Sequence, residues 1–555
     1  MKIHRLAVRA VAGTLALALL APAATVASPG DAWRTVHPHA YGSFLDYRNG
    51  HVDYTARHTL AAKTCASLKG AVFSDATIVT ATTEVAATST VPAFCDATGT
   101  IEGTIAFEVA LPTTWNGRLY VWGNGGFAGE PFAEYYTPER SGALQAGFVY
   151  AHSNTGHYGK GAIPLFDASW AYNNSQAVVN WANRSVHVLA AASKAIVTSY
   201  YAKKPTRSYF EGCSDGGGEA FTEAEKYPSD FDGIVGGDPL LEGTDSFVEG
   251  IYATQQYGSA PFTLKQIAPE ANAVMAACDK LDGLVDGLIS DPRRCTFNPS
   301  TEGKSLSAAQ LKVWENLLAG ARNQYGQLEY GAVLGSEYDD GLAGILIPAT
   351  AGAAEIFTEG WTQFIAPFPF SGNVFSIPTF NFNTDPYRLS AIASVENAEN
   401  PNLDGFTGHG GKLIAYHGWA DPLITPYVSV AYTESVFNRI GVAKAQDSFR
   451  EFMIPGMGHC QGTGYGPNVF DPITPLVDWV EAGIAPASIV AERLNAAGTA
   501  PVLTRPLCPY PQEATYVSGN PNVATSFTCK AGLRGLPFPK IGRPIPTYPF
   551  VEIHT

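Results

Sequence analysis

Three segments of the sequence carry the residue types of a nucleophilic hydrolase. The first is Gly212-Cys-Ser-Asp-Gly216, a Gly-x-Ser-x-Gly motif between a predicted strand and a predicted helix. Small flanking residues let a strand reverse sharply into a helix with the serine at the apex. Ser214 is therefore the candidate nucleophile, although the pentapeptide alone also fits a structural glycine-rich turn.

The other two segments supply a base and an acid. A serine hydroxyl attacks poorly unless a histidine takes its proton and an acid orients that histidine. Asp421 follows one predicted strand and His459 follows the next, in the order Ser, Asp, His that this motif requires. His417 is a rival base, but it lies at a strand end, too early for the expected loop. The sequence thus predicts a triad of Ser214, Asp421 and His459.

Strands alternate with helices on both sides of a different middle region. The expected strands are Arg118–Trp122, Gly147–His152, Thr206–Phe210, Gly233–Val235, Lys412–His417 and Phe449–Ile454, and the expected helices are Ala177–Tyr201, Tyr427–Arg439 and Pro475–Ala482. This alternation predicts the α/β class, with a mostly parallel sheet covered on both faces. Together with the serine motif it indicates an α/β-hydrolase fold with a large inserted lid domain.

The domain organisation follows from this pattern. Residues 28–240 and 401–555 are expected to form the two parts of the hydrolase domain. Residues 241–400 are rich in proline, glycine and aromatic residues and have mixed periodicity, which predicts a lid over the sheet. A larger continuous sheet is the alternative for this middle region.

The N-terminus has the order of a secretory signal peptide. Lys2, Arg5 and Arg9 precede a mostly apolar run, Ala10–Pro22, that is too short for a comfortable membrane span. We therefore expect residues 1–27 to be removed and the mature chain to be extracellular or periplasmic, with an uncleaved anchor helix as the alternative. A formal net charge of −15 without a basic cluster argues against a nucleic-acid partner.

Eight cysteines in an exported chain, with no Cys-x-x-Cys pair, indicate disulfides rather than metal thiolates. The sequence leaves many pairings open. Proximity in the chain favours Cys65–Cys95, Cys278–Cys295 and Cys508–Cys529, which leaves Cys213 and Cys460. Because these two flank Ser214 and His459, contact between the serine and the histidine would bring them close enough to be bridged.

The motifs resemble those of the tannase and feruloyl esterase family, whose mark is a disulfide joining the neighbours of the catalytic serine and histidine. The matching pieces are Gly-Cys-Ser-Asp-Gly-Gly, His-Gly-Trp-Ala-Asp-Pro, Pro-Gly-Met-Gly-His-Cys and the segment from Cys278 to Cys295. The resemblance implies a secreted serine carboxylic ester hydrolase that cleaves small esters of aromatic acids through an acyl-enzyme, as feruloyl esterases do.

The resemblance also leaves other substrates open. The family includes tannases and a hydrolase of mono-(2-hydroxyethyl) terephthalate, so galloyl and terephthalate esters are alternatives. The middle region offers no convincing arginine for a free terephthalate carboxylate, which favours feruloyl esters or tannins. A lipase, a peptidase and an inactive binding protein of the same fold are the remaining alternatives.

An oxyanion hole requires two backbone donors. The first is expected to be the N–H of Asp215, the residue after the nucleophile. The second is expected in the glycine-rich loop after Arg118–Trp122, where Gly125 and Gly126 are candidates and Gly126 is preferred. An ordinary turn is the alternative for this loop.

Similarity to the family also suggests residues of the acid-binding pocket. His417 and Ile424, which flank Asp421, are expected to line it. The aromatic residues of the middle region are either pocket walls or simply the core of the lid; they are Trp361, Phe364, Phe368 and Phe370.

The resemblance further implies a structural calcium site between Cys278 and Cys295. Carboxylates and carbonyls are the hard oxygen ligands that Ca²⁺ takes in proteins. The expected ligands are the carboxylates of Asp279, Asp282 and Asp286 and, by family similarity, the backbone carbonyls of Leu284 and Leu288. The spacing is not that of an EF-hand because the closing glutamate is missing. A solvated acidic turn is the alternative.

Overall fold

The computed structural model describes residues 42–56, 58–130, 137–161, 163–338, 341, 353–370 and 374–536. The predicted signal peptide, residues 1–27, lies outside these ranges. Within them, no helix is both long enough and apolar enough to cross a membrane.

The strands are short and lie mostly in the first half of the chain and near its end. They are β1 (Thr59–Leu60), β2 (Ile78–Val85), β3 (Phe94–Ile101), β4 (Ile105–Pro112), β5 (Thr114–Trp115), β6 (Arg118–Trp122), β7 (Val149–Ser153), β8 (Arg207–Cys213), β9 (Gly233–Gly237), β10 (Arg322–Asn323), β11 (Gly326–Gln327), β12 (Lys412–Gly418), β13 (Phe449–Ile454), β14 (Ile489–Leu494), β15 (Pro501–Leu507), β16 (Gln512–Tyr516) and β17 (Phe527–Ala531).

The helices alternate with the strands and fill the middle of the chain. They are α1 (Thr137–Gln145), α2 (Ser175–Val179), α3 (Ser185–Tyr201), α4 (Asp215–Lys226), α5 (Gly243–Ser259), α6 (Leu264–Cys278), α7 (Pro299–Glu302), α8 (Ala308–Ala319), α9 (Ala353–Gly360), α10 (Ser390–Glu396), α11 (Asp404–Gly408), α12 (Tyr427–Ile440), α13 (Val442–Gln446) and α14 (Ile473–Ala482). A π-helical turn, Asn180–Arg184, joins α2 to α3, so the predicted helix Ala177–Tyr201 is continuous but has one wider turn.

Nine strands form the central sheet, in the order β13-β12-β9-β8-β6-β7-β4-β3-β2. The first six are parallel to their neighbours, and β4, β3 and β2 extend the sheet in antiparallel fashion. Strands β6, β7 and β9 are buried along their whole length, as expected for parallel strands covered on both faces. The predicted α/β class with a mostly parallel sheet is confirmed.

Alternate residues of each strand enter two separate cores. In β6, Leu119 and Val121 face one core, whereas Tyr120 and Trp122 face the other. Helices α3, α4 and α12 cover the first core, and α14 covers the second. This period of two is the usual consequence of strand geometry. Because β8, β9, β12 and β13 are adjacent and parallel, their carboxyl ends lie side by side at one edge of the sheet.

The insertion, defined here as residues 238–411, connects the adjacent strands β9 and β12. None of its described residues joins the nine-stranded sheet, so the larger continuous sheet is wrong. Part of the insertion has its own core, in which Trp314 is fully buried among residues of α5, α6 and α8. The lid boundaries at 241 and 400 stay a prediction.

Candidate active site

The turn between β8 and α4 holds Ser214 in a strained conformation, with φ 66° and ψ −121°. The turn is tight because its glycines approach other backbone. A Cβ on Gly212 would lie 2.5 Å from the carbonyl oxygen of Gly216, and one on Gly216 would lie 2.7 Å from that of Asn124. The Ser214 N–H donates to the Gly237 carbonyl at 2.9 Å. The serine is thereby held at the apex of the turn.

His459 contacts both other triad candidates. The Ser214 hydroxyl lies 2.8 Å from His459 Nε2, and Asp421 Oδ2 lies 2.6 Å from His459 Nδ1. Because a carboxylate only accepts hydrogen bonds, Nδ1 carries the proton and the neutral ring offers Nε2 as the acceptor. This arrangement can take a proton from the serine.

The Asp421 carboxylate is fully buried and surrounded by donors. Its Oδ1 accepts from the N–H groups of Leu423 at 2.8 Å and Ile424 at 3.1 Å. Burial acts to raise the pKa of Asp421, but the imidazoles of His459 and His417 hold it well below its usual range. Burial likewise acts to lower the pKa of His459, and the Asp421 charge reverses this, so that the pKa lies above its ordinary value.

The expected oxyanion donors lie on the same cavity as the serine. Asp215 is the first residue of α4, and the first N–H groups of a helix have no partner within it. Gly126 adopts φ +54° beside Leu165 and also lines this cavity. Trp181, in the π-helical turn, donates to the Asp215 carboxylate at 3.1 Å and to the Gly126 carbonyl at 3.2 Å. One indole therefore ties together the two segments that carry the candidate donors.

All four expected disulfides are present. They are Cys65–Cys95, Cys213–Cys460, Cys278–Cys295 and Cys508–Cys529. The pair of Cys213 and Cys460 joins Cα atoms 6.0 Å apart across a sequence separation of 247 residues. It links the residue before Ser214, at the end of β8, to the residue after His459, in the loop that follows β13.

A cavity of about 1070 Å³, measured with the solvent at its mouth, opens over Ser214. One wall comes from the hydrolase part of the chain and the other from the insertion. The lining residues are Gly126, Phe127, Ser214, Asp215, Leu240, Asp245, Ser246, Phe247, Glu249, Gly250, Ala253, Leu317, Glu329, Tyr330, Gly331, Ala332, Phe357, Thr358, Asp421, Pro422, Leu423, Ile424, Thr425 and Val428.

Comparison with known proteins places this geometry in a family. The family model for tannase and feruloyl esterase matches residues 89–530, which include the whole cavity. The chain belongs to this family. It is therefore a carboxylic ester hydrolase rather than a peptidase or an inactive binding protein.

Individual members of the tannase and feruloyl esterase family show how far the similarity extends. The chain is 32% identical to a probable feruloyl esterase of Arthroderma benhamiae, over 77% of this chain and 82% of that protein. It is 30% identical to the mono(2-hydroxyethyl) terephthalate hydrolase of Piscinibacter sakaiensis, over 77% and 81%. The crystal structure of feruloyl esterase B from Aspergillus oryzae matches with a TM-score of 0.71 at 24% identity, covering 83% of this chain and 98% of that one. The likeness in structure shows the α/β-hydrolase fold.

Two of the expected pocket residues lie elsewhere in this esterase. His417 is fully buried behind Asp421, and Trp361 is fully buried behind Phe247, so the expectation that they line the pocket is wrong. His417 sits at the end of a central strand, where its side chain points into the core. The Trp361 indole N–H donates to Glu396 at 3.2 Å inside the insertion. Ile424 does line the cavity.

The other aromatic candidates are not in the cavity wall either. Phe364 and Phe368 pack against the core cluster that contains Trp361, and Phe370 is 78% exposed. These side chains form the core and surface of the insertion. The aromatic lining comes instead from Phe127, Phe247, Tyr330 and Phe357.

Two buried acids next to the triad were missed by the sequence analysis. Asp238 follows β9 and Glu451 lies in β13, and both are at most 1% exposed. Asp238 accepts the Gly418 N–H at 2.8 Å, so it touches the strand that carries His417. The available signal was an acidic residue directly after a buried strand, Gly-Gly-Asp-Pro, beside the strand that leads to Asp421.

In the acidic loop, residues 279–290, the aspartate carboxylates accept hydrogen bonds from the backbone of the same loop. Asp279 accepts the N–H groups of Asp286 and Gly287, both at 3.1 Å, and Asp282 accepts that of Leu284 at 2.9 Å. Asp286 accepts the N–H of Leu288 and pairs with Arg505 at 2.6 Å. Among the described residues, the three groups of side chains whose ligand atoms lie within 4.8 Å of one another do not include this loop. A carboxylate has about four acceptor positions, so the donor types still fit a calcium ion.

The pKa of His459 generates a prediction for the pH dependence of the esterase. Only the neutral imidazole accepts the serine proton, and its pKa lies above 6.5, so kcat/KM should fall as the pH decreases through a value above 6.5. We would measure kcat/KM for p-nitrophenyl acetate against pH. The control is His187→Gln, which removes a half-exposed imidazole paired with Asp230 and should leave the profile unchanged. An acidic limb below pH 6.5 would contradict the pKa direction.

Proposed function

We propose that the chain is a feruloyl esterase-like hydrolase of uncharged aromatic acid esters. The observation that carries this proposal is the cavity over Ser214, which combines aromatic walls with acidic side chains. The described residues that line it include no lysine or arginine. The proposal goes beyond family membership. Relatives that are about 30% identical to this chain are named for different substrates, so the similarity does not show which acid the chain binds.

In the proposed mechanism His459 takes the proton of Ser214 as the hydroxyl oxygen attacks the ester carbonyl carbon. The N–H groups of Asp215 and Gly126 donate to the carbonyl oxygen as it becomes negative. His459 then protonates the alcohol oxygen, the C–O bond breaks and the acyl-enzyme forms. Water, activated by His459, releases the acid and restores the serine. Asp421 keeps the proton of the neutral ring on Nδ1 and stabilises the imidazolium.

Aromatic side chains support an aromatic acyl group. Phe127 contacts Phe247 in a stacked arrangement, with ring centroids 6.0 Å apart, and Phe357 edge-on at 5.2 Å. Flat rings of this kind offer stacking and edge-to-face contacts to a phenolic ring. Trp361 stacks on the far side of Phe247 at 4.9 Å and fixes its orientation.

The charge of the cavity supports an uncharged acid. Asp245, Glu249 and Glu329 line it, and carboxylate oxygens of Asp245, Glu329 and the neighbouring Glu242 lie within 4.8 Å of one another. Carboxylates can accept a phenolic hydroxyl, whereas they repel the free carboxylate of a terephthalate monoester.

The same cavity leaves tannase activity as a second candidate. A galloyl group carries three hydroxyl donors and no charge, so the acidic wall also suits it. Hydrolysis of a terephthalate monoester is the third candidate, and the relative from Piscinibacter sakaiensis is named for it. A lipase would need room for a long aliphatic acyl chain.

We also propose that the protein is exported after removal of residues 1–27. Its four disulfides leave no free cysteine among the described residues, and such bonds persist in oxidising compartments. The basic and then apolar N-terminal sequence supports the same conclusion.

We further propose that the acidic loop binds a structural Ca²⁺ ion through the carboxylates of Asp279, Asp282 and Asp286 and the carbonyls of Leu284 and Leu288. Burial and the nearby charges of Asp282 and Asp279 raise the pKa of Asp286, while Arg505 opposes this. A divalent cation would relieve the repulsion between these carboxylates. The ion would stabilise the loop between Cys278 and Cys295 and take no part in the reaction.

The proposed function is tested by hydrolysis of methyl ferulate by the mature chain and by its Ser214→Ala variant. We expect turnover by the parent and none by the variant, because the variant lacks the attacking oxygen. Thermal unfolding of both would show that the fold is unchanged. Activity retained by Ser214→Ala would exclude Ser214 as the nucleophile. Turnover of propyl gallate that is faster than that of methyl ferulate would favour a tannase, and faster turnover of p-nitrophenyl palmitate would favour a lipase.

The charge argument is tested with two substrates that differ by one carboxylate. Dimethyl terephthalate is neutral, whereas monomethyl terephthalate carries a charge that the acidic wall repels by on the order of 1–3 kcal/mol. We therefore expect kcat/KM to be roughly 10- to 100-fold higher for the diester. Glu249→Gln should narrow this ratio, and Glu359→Gln, an exposed acid outside the cavity, should not. A preference for the monoester would contradict the proposal and favour the terephthalate alternative.

The calcium proposal is tested by removing the ion. EDTA should lower the melting temperature by a few degrees while initial turnover at low temperature stays nearly unchanged, because the ion stabilises only the folded loop. Added Ca²⁺ should restore the melting temperature, and Asp282→Asn should weaken this effect. If EDTA leaves unfolding of the calcium-supplied protein unchanged, the hydrogen bonds and Arg505 stabilise the loop without an ion.

A further inference from the structure

Four ionisable side chains form a buried group behind the serine and histidine. They are Asp238, His417, Asp421 and Glu451, and none is more than 1% exposed. Three adjacent parallel strands bring them together, since Asp238 follows β9, His417 lies in β12 and Glu451 lies in β13. The proposed mechanism uses only Asp421, which leaves the role of the other three open.

His417 is the member of this group that contacts Asp421. Its Nε2 lies 3.3 Å from Asp421 Oδ2, the same oxygen that accepts from His459. Nε2 also lies 3.0 Å from the Ile424 carbonyl and 3.7 Å from Asp238 Oδ1. All three neighbours accept hydrogen bonds, so Nε2 must carry a proton and act as a donor. The Ser429 hydroxyl lies 2.7 Å from Nδ1 and fixes the ring plane.

Two other roles for His417 are excluded by these contacts. A substrate cannot reach the ring, because it is fully buried and does not line the cavity. The ring cannot ligate a metal together with Asp238 and Asp421, although their ligand atoms lie within 4.8 Å of one another. Nε2 faces a carbonyl oxygen and keeps its proton, and a metal-bound imidazole nitrogen has none.

We propose that His417 is a positioning residue for the proposed triad: its Nε2–H donates to the Ile424 carbonyl at 3.0 Å and thereby holds the ring 3.3 Å from Asp421 Oδ2, the oxygen that accepts from His459. Oδ2 then faces the His459 N–H and the His417 ring, while two backbone amides hold Oδ1. The positive charge of the His417 ring makes Oδ2 a weaker base. The proton of His459 Nδ1 therefore stays on the imidazole, where the mechanism needs it, and the carboxylate cannot rotate away.

The electrostatics of the group agree with this role. Burial raises the pKa of Asp238 to about 7 and that of Glu451 to about 8, in both cases against the charge of His417. Burial acts to lower the pKa of His417, but the close Asp421 carboxylate and the charges of Asp238 and Glu451 raise it to about 9. Of the three buried acids, only Asp421 has a lowered pKa. His417 thus helps to keep the negative charge on the acid that faces His459.

The test compares His417→Leu, which removes the donor, with His417→Gln, whose amide keeps an N–H but no charge. The substrate is p-nitrophenyl acetate, which needs no aromatic-acid pocket. The matched control is His152→Gln, because His152 is also buried but lies in β7, where its Nδ1 bonds to the Trp122 carbonyl. For each variant we would measure kcat, KM, the pH profile of kcat/KM and the melting temperature.

We expect kcat of His417→Leu to fall roughly 10- to 100-fold, the size of effect that a displaced catalytic group produces, with KM unchanged. His417→Gln should recover part of kcat, because its amide can still donate to the Ile424 carbonyl and place an N–H dipole near Asp421 Oδ2. In both variants the acidic limb should move to higher pH, because the charge of His417 lowers the pKa of His459. The control should keep the parent profile.

A role in packing alone predicts a lower melting temperature with kcat and the pH profile unchanged, and this result would overturn the proposal. If His417→Leu does not fold, Ser429→Ala provides the decision. It removes only the hydroxyl that orients the ring and should lower kcat about two- to fivefold, and an unchanged kcat would overturn the proposal. Ser214→Ala distinguishes failure of the proposed triad from failure of the positioning role. Activity retained by Ser214→Ala would refute the triad itself. An inactive Ser214→Ala together with fully active His417 variants would refute only the positioning role.

Discussion

The strained backbone at Ser214 is the constraint that the rest of the site depends on. A non-glycine residue at φ 66° and ψ −121° persists only where its surroundings leave no alternative. Here the Ser214 N–H is held by Gly237 on the adjacent strand, and the disulfide of Cys213 and Cys460 attaches the turn to the histidine loop. The disulfide closes a separation of 247 residues, so the nucleophile and the base remain together although a large insertion lies between them in the chain.

Charge in the buried interior imposes the second constraint. An isolated carboxylate in this environment would become neutral, and the raised pKa values of Asp238 and Glu451 show this tendency. Asp421 escapes it because two imidazoles and two amides surround its oxygens. The strand order β9-β12-β13 is what brings these groups together. The sheet therefore determines which acid is ionised as well as where the loops meet.

The sequence predicts the triad residues better than it predicts the residues that surround them. Gly212 and Gly216 reveal the turn, because their spacing has a steric cause that acts within five residues. The leftover cysteines reveal a long-range contact, because a covalent bond needs specific residues. The strands β2 to β4 escaped notice, and so did Asp238, whose importance depends on which strands are neighbours. Similarity to the family places His417, which precedes Asp421 closely in the chain, in the pocket. Only the orientation of β12 shows that its side chain points inward.

The cavity shows why the sequence predicts the reaction more directly than it predicts the acid part of the substrate. The proposed triad and the expected oxyanion donors come from loops at the carboxyl edge of one sheet, where each position follows from a short motif. The walls come from α5, from residues 329–332 and from α9 of the insertion, which are distant in the sequence and meet only in the folded protein. Phe247 shows the dependence, since Trp361 stacks behind it and Glu396 holds the indole. A change in this second layer would reshape the cavity over Ser214 without touching any motif of the proposed triad.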